Sequence, residues 1–399
     1  MDTITWRENP FRDPKPTAHL TPFTPVVAER VLRYHRSWPR YQKTPLWHLE
    51  ELALSLGVGT VWVKDESYRW GLKAFKGLGG THAVGRCLAR ELGLAEVPPY
   101  SALATLTQDR APLTFATATD GNHGVGVAWA ASQLRQHARI YMPRGAADAR
   151  LQAVASAGGE VHRSDLDYDD LVEWVAEEAR KQGWMLVQDT AWYGYEEIPT
   201  WIMQGYLTLM AEEFQRAEGG VSPTHVFLQA GVGSYAAAVT AFLANHWGTA
   251  IPRIVLMEPH SAACFFQAAQ RGEGTLQAAG PIRTVMAGLA CGVGNPAAWE
   301  ILRRWVSVFV ACNDAVTERG MRILAHPLGS DPAVASGESG AVGMGVLSSM
   351  AQDNRYRDLR AALDLNQDSR VLLISTEGAT DPVMYRRIVH AGFTPPGAS

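Results

Sequence analysis

The sequence predicts an α/β protein on an open, largely parallel sheet, and three observations predict it. Short β-branched and apolar runs alternate with longer Ala- and Leu-rich stretches. Most of the short runs stop at Gly, Asp, Glu or Pro, the tight or polar strand ends where open α/β sheets bind their ligands. The chain has 399 residues, 47% of them hydrophobic and 19% charged. That excludes a disordered or fibrous protein, and at roughly 150 residues per domain it predicts about two or three domains.

In chain order, strands are predicted at 60–63 (TVWV), 138–142 (ARIYM), 185–188 (MLVQ), 225–229 (HVFLQ), 253–257 (RIVLM) and 371–375 (VLLIS). Residues 98–112, rich in Pro, Ser and Thr, read as a loop before the apolar run 113–118. Residues 127–134 read as helical, and so does 356–363, at the periphery. The stretch 169–182 (DDLVEWVAEEARKQ) has apolar residues at helical spacing with charges opposite, the pattern of a surface helix that carries no chemistry.

Charge and cysteine usage narrow the function. A net charge of -4 leaves no excess of cations to hold a nucleic-acid backbone. No apolar run approaches the ~18 residues of a membrane helix, and MDTITWRENP at the start lacks the basic and apolar segments of a signal peptide, so a cytoplasmic location is expected. Cys87, Cys264, Cys291 and Cys312 show no metal-ligand spacing, so no metal is expected. Buried reduced thiols are the expectation, with a Cys264–Cys291 bridge as the alternative.

Only six lysines occur, and Lys73 and Lys76 share one segment, KDESYRWGLKAFKGLGG at 64–80. Lys76 stands near a helix start among Ala74, Phe75 and Leu78, where desolvation and the positive helix end both favour a neutral amine fit for Schiff-base chemistry. Lys73, nearer the charged turn, is expected to face solvent. The loop TATDGNHGVG (117–126) aims N–H groups and polar side chains at one spot, a natural anion site. His123 within it is expected to pack the loop rather than to react.

The turn AGVGSYA (230–236) supplies Gly231, Gly233 and Ala236 in a GxGxxA pattern, with Glu258 ending the next strand. On spacing alone this fits a dinucleotide and hence an NAD-dependent dehydrogenase. The same turn at a helix N-terminus binds any phosphate monoester. A lysine for an aldehyde, a cradle for a phosphate and a polar loop over a ring together favour pyridoxal phosphate.

Here the chain resembles the tryptophan-synthase-β-like, fold type II enzymes that use pyridoxal 5'-phosphate, which have two domains of open twisted sheets. Within them it resembles the diaminopropionate ammonia-lyases through RWGLKAFKGLGG (69–80), ATATDGNHGVGVAW (116–129), QDTAWYGYEEIPTWIMQGYLTL (188–209), LQAGVGS (228–234), MAGLACG (286–292), SGESGAVG (336–343) and STEGATD (375–381). It departs from the pattern at Lys73, Val125 and Tyr193 and in CGVGNP after MAGLACG, and Val125 and Tyr193 are expected near the substrate side.

The resemblance implies that Lys76 holds the cofactor, that Asn122 meets its ring hydroxyl, and that Gly231, Val232, Gly233 and Ser234 hold its phosphate. The pyridine nitrogen is expected on Thr376, with Ser375 and Glu377 as alternatives. Asp120 and Asp189 are implied as the catalytic acids, since a diamino substrate brings a second ammonium that needs a carboxylate partner. The implied activity is elimination of two ammonia from D- or L-2,3-diaminopropionate to leave pyruvate; a serine/threonine dehydratase-like lyase is the alternative. Trp192, Tyr195 and Trp201 are expected to pack, and Glu258 to be structural; Glu338 has no assigned role. The expected domains are 1–79 with 200–399, and 80–199, in a homodimer acting on a small amino acid without nucleic acid or membrane.

Overall fold

The computed structural model describes residues 3–214, 222–272 and 274–391. Eleven strands form two sheets: β1 Ile4–Glu8, β2 Leu46–His48, β3 Thr60–Asp65, β4 Thr114–Ala118, β5 His137–Met142, β6 Glu160–Arg163, β7 Met185–Leu186, β8 His225–Gln229, β9 Arg253–Pro259, β10 Val308–Cys312 and β11 Arg370–Ser375. The larger sheet runs β1-β10-β9-β8-β11-β3-β2 and the smaller β6-β5-β4-β7. The small sheet is parallel throughout. The large one is parallel from β10 to β3, with β1 and β2 antiparallel at its edges.

The central strands β8 and β10 are buried along their whole length, as expected of strands covered on both faces. All six predicted strands are present, β7 shorter than expected. The predicted loop 98–112 instead contains a helix, Tyr100–Thr107, whose N-cap is Pro99. Pro at a helix start is compatible with the helix because the first N–H groups have no intrahelical acceptor. The helices Tyr168–Gln182 and Arg357–Ala362 lie where periodicity placed them. Among the described residues no helix is long and apolar enough to cross a membrane.

Two helices meet tightly beneath the cleft between the sheets. Gly80 of helix Gly77–Glu91 faces Gly126 of helix Asn122–Gln133, and a Cβ on Gly126 would stand 2.8 Å from the Lys76 carbonyl oxygen. Only glycine permits this approach, which sets the height of Lys76 against the small sheet.

A buried ionic cluster anchors β3. Lys64 Nζ donates to Thr44 O (3.0 Å), Glu212 (2.7 Å) and Glu213 (2.6 Å), and its side chain has no exposed surface. Arg69 pairs with Glu66 and Glu212. Lys43, half exposed, completes the cluster on Glu213. Three cations therefore balance three carboxylates. Removing one buried partner strands the others, so Lys64→Met is expected to cost about 3–5 kcal/mol in urea unfolding. Lys43→Met, at the wet rim, is expected to cost under about 1 kcal/mol.

Candidate active site

Five loops converge on one cavity, each following the carboxyl end of a strand: β3, β4 and β7 bring Lys76, Asp120 to His123, and Asp189, while β8 and β11 bring Gly231 to Ser234, and Thr376 with Glu377. This is the crevice position that open parallel sheets favour. The structure thus gathers every predicted site residue at a single place.

Lys76 is the N-cap residue of helix Gly77–Glu91. Its loop is pinned to the end of β11: Phe75 N donates to Thr376 O (3.0 Å) and Gly378 N donates to Lys73 O (2.9 Å). Lys73 is exposed, as expected. Lys76 Nζ donates to Asp189 in an ion pair across the cleft. The expectation of a depressed lysine pKa is corrected by this contact. Burial does disfavour the ammonium, but Asp189 and then Tyr206 outweigh it, and the pKa is raised. Asp189 is held below the usual carboxylate range: burial alone would raise it, and Lys76 followed by His123 pull it down.

Asp120 differs. Burial pushes its carboxyl up to about 7, opposed by Arg150 and reinforced by Asp189 and Asp169. Of the two aspartates, one therefore stays ionised and the other titrates near neutrality. Asn122 donates its side-chain amide to Glu377 (2.5 Å), whose other oxygen accepts from Ser339 N (3.0 Å). Ser234 Oγ donates to the Asp189 carbonyl (2.6 Å) and accepts from Asn295 (2.8 Å).

The turn Gly231–Ser234 opens helix Ser234–Trp247, whose first N–H groups have no intrahelical acceptor. A Cβ on Gly231 would lie 3.1 Å from Gly288 O and 3.2 Å from Cys291 Sγ, so the backbone forms a concave floor only without a side chain. At the end of β8, Gln229 Nε2 donates to Thr376 Oγ1 (2.9 Å), which leaves the threonine proton free to be donated. Ser375 bonds to Ser336 Oγ and Glu377 O and does not line the cavity. Amine, phosphate-sized cradle and hydroxyl donor thus suit pyridoxal phosphate.

The predicted surface helix starts one residue before the stretch read from periodicity, and that first residue, Tyr168, lies in the cavity wall. One expectation is corrected. Val125 is packed in the core and Tyr193 is 99% exposed, so neither lines the cavity. Phe75, Tyr235 and Ser339 also line it and carried no signal in the sequence. Trp192 stacks on Tyr195 at 4.4 Å, and Trp201 packs under Arg86 and Arg90. All four cysteines are buried, and Cys264 and Cys291 do not bridge. Glu258 accepts from Phe265 N (2.9 Å) and Phe266 N (2.7 Å), so the acid a dinucleotide ribose would need is spent on a helix start.

Residues 38–377 match the family described as "Pyridoxal-phosphate dependent enzyme", and the chain belongs to it. Within that class it is 45% identical over 372 residues to the diaminopropionate ammonia-lyase of Escherichia coli K12, covering 93% of each chain. It superposes on the crystal structure of the selenomethionine holo enzyme from E. coli with a TM-score of 0.92 at 43% identity, over 99% of this chain and 98% of that one. For that lyase in complex with D-serine the TM-score is 0.91 at 42% identity, over 100% and 99% of the two chains. The chain is a member of the diaminopropionate ammonia-lyases, carbon–nitrogen lyases that depend on pyridoxal phosphate.

Gly126→Ala is expected to push Lys76 out of line and sharply lower cofactor incorporation, read as visible absorbance per protein. Gly145→Ala, where a Cβ meets nothing within 4 Å, is expected to leave it unchanged.

Proposed function

We propose that the chain converts 2,3-diaminopropionate and water into pyruvate and two ammonium ions, and that it accepts both D- and L-isomers. The observation that carries this reading is the pair of carboxyls, Asp189 and Asp120, facing one lysine in a single cleft. A serine-type substrate has no second ammonium to satisfy, whereas a diamino acid needs a carboxylate to receive it in an enclosed site. The D-serine complex of the E. coli lyase supports a cleft that admits D-amino acids.

Lys76 would hold the cofactor, the amides of Gly231, Val232, Gly233 and Ser234 its phosphate, Asn122 its ring hydroxyl and Thr376 its ring nitrogen. Bound there, the cofactor supplies an electron sink that makes the substrate's α-proton acidic. Asp120, arriving after β4, takes that proton from the D-isomer; Lys76, arriving after β3, takes it from the L-isomer. Asp189, ionised, receives the β-ammonium and positions it for departure.

We also take the chain to act as a cytoplasmic homodimer, with residues 1–79 and 200–399 as the larger unit and 80–199 as the smaller. The division is supported by the small sheet, all of whose strands fall within 80–199.

Lys76→Ala is expected to abolish the visible absorbance of the purified protein, and a band that survives would remove the assigned anchor. A base must be ionised, and the Asp120 carboxyl is raised to about 7. Turnover of the D-isomer should therefore fall as pH drops through about 7, with no such limb for the L-isomer. Asp120→Asn should lower D-isomer turnover about 100- to 10,000-fold and L-isomer turnover far less, measured as ammonia release.

A further inference from the structure

His123 sits second in the helix Asn122–Gln133 and is 3% exposed. Its Nε2 lies 2.7 Å from the Val187 carbonyl oxygen. A carbonyl only accepts, so Nε2 carries the hydrogen and the neutral ring leaves Nδ1 with a bare lone pair. That Nδ1 is buried without a hydrogen-bond partner, 4.0 Å from Asp189 Oδ2. The same carboxylate oxygen accepts from Lys76. Two acceptors thus face each other, and the arrangement is balanced by the lysine ammonium.

The ion pair that fixes Lys76 also keeps it charged, yet the lysine must lose a proton before its nitrogen can act as nucleophile or base. The proton needs a buried acceptor within reach. We propose that His123 is a positioning residue for Asp189, and that its Nδ1 takes the proton that Lys76 gives up through the Asp189 carboxylate. The proton leaves Lys76 Nζ for Asp189 Oδ2 and passes to His123 Nδ1. The products are a neutral amine, a carboxylate and an imidazolium that now donates to that carboxylate, so charge within the three groups is conserved.

The groups facing this relay are few. Asp189 and Lys76 are the charges acting on His123, the first favouring its protonation and the second opposing it, with burial opposing it most. Lys76 Nζ also lies 5.9 Å from the ring of Tyr206, whose buried hydroxyl is a poor acceptor for an added proton. Tyr168 accepts from the neighbouring Gln188 (3.3 Å), and Asp120 and Cys291 line the same cavity.

The inference rests on the elimination reading, and its test separates the two. Nitrogen-15 NMR of histidine-labelled protein without cofactor reads His123 directly: a neutral ring protonated at Nε2 is expected at pH 7 in the parent. In Lys76→Met, which removes the competing cation, His123 should take its second proton at higher pH, and Asp189→Asn should cancel that rise. A neutral ring protonated at Nδ1, or no response to Lys76→Met, overturns the proposal whatever the substrate proves to be. His123→Gln can keep the bond to Val187 while lacking Nδ1. In the loaded enzyme it should lower kcat on the order of 100-fold with little change in KM, and move the basic requirement of the pH profile upward. A parent-like kcat and profile in His123→Gln would reduce the histidine to packing. A parent enzyme that releases no ammonia from diaminopropionate would instead defeat the elimination reading, leaving the NMR result to stand or fall alone.

Discussion

The ion pair between Lys76 and Asp189 is the constraint on which the site depends. The lysine comes from the end of the large sheet and the aspartate from the small one, so the contact spans the cleft and couples the two sheets. Charge in an enclosed site demands a partner, and this pairing makes the lysine hold its proton more firmly than free lysine does. Until it combines with the cofactor, the amine is held as an ammonium. Its position is secured by two further bridges across the same gap, Asn122 to Glu377 and Ser234 to the Asp189 carbonyl.

The architecture was legible where local pattern and fold agree. Strands β8 and β9 are continuous apolar runs between turn residues, and both lie where the sequence placed them. The loops carrying Lys76, Asn122 and Gly231 were legible because chemistry there restricts the residue types. Edges were less readable: β1 has a mixed burial pattern and β2 spans only three residues. The helix Tyr100–Thr107 was hidden by the prolines that begin it.

What no local pattern carried was the pairing of groups distant in the chain. Composition around Lys76 points to a desolvated, weakly basic amine, and the structure reverses the sign because a carboxylate 113 residues later meets it. Glu258 shows the converse: strand-end spacing suggested a ribose ligand, while the fold spends both oxygens on the start of helix Cys264–Arg271. Tyr168 enters the cavity from the N-terminal end of an amphipathic helix. Each is a tertiary fact that periodicity cannot encode.

The pairing of β3 with β11 has a bearing on how the molecule is made. Among the described residues, 60–65 have β11 as their only parallel neighbour, and that strand begins at Arg370. The small sheet, whose strands lie between Thr114 and Leu186, draws only on nearby segments, and such short-range contacts form early. During synthesis the lysine loop must wait, unsupported on one side, until almost the whole polypeptide has emerged. A ribosome-bound fragment ending before residue 370 would lack the backbone bonds that hold Phe75 and Lys73, so competence to load the vitamin-derived cofactor arrives only with the last few dozen residues.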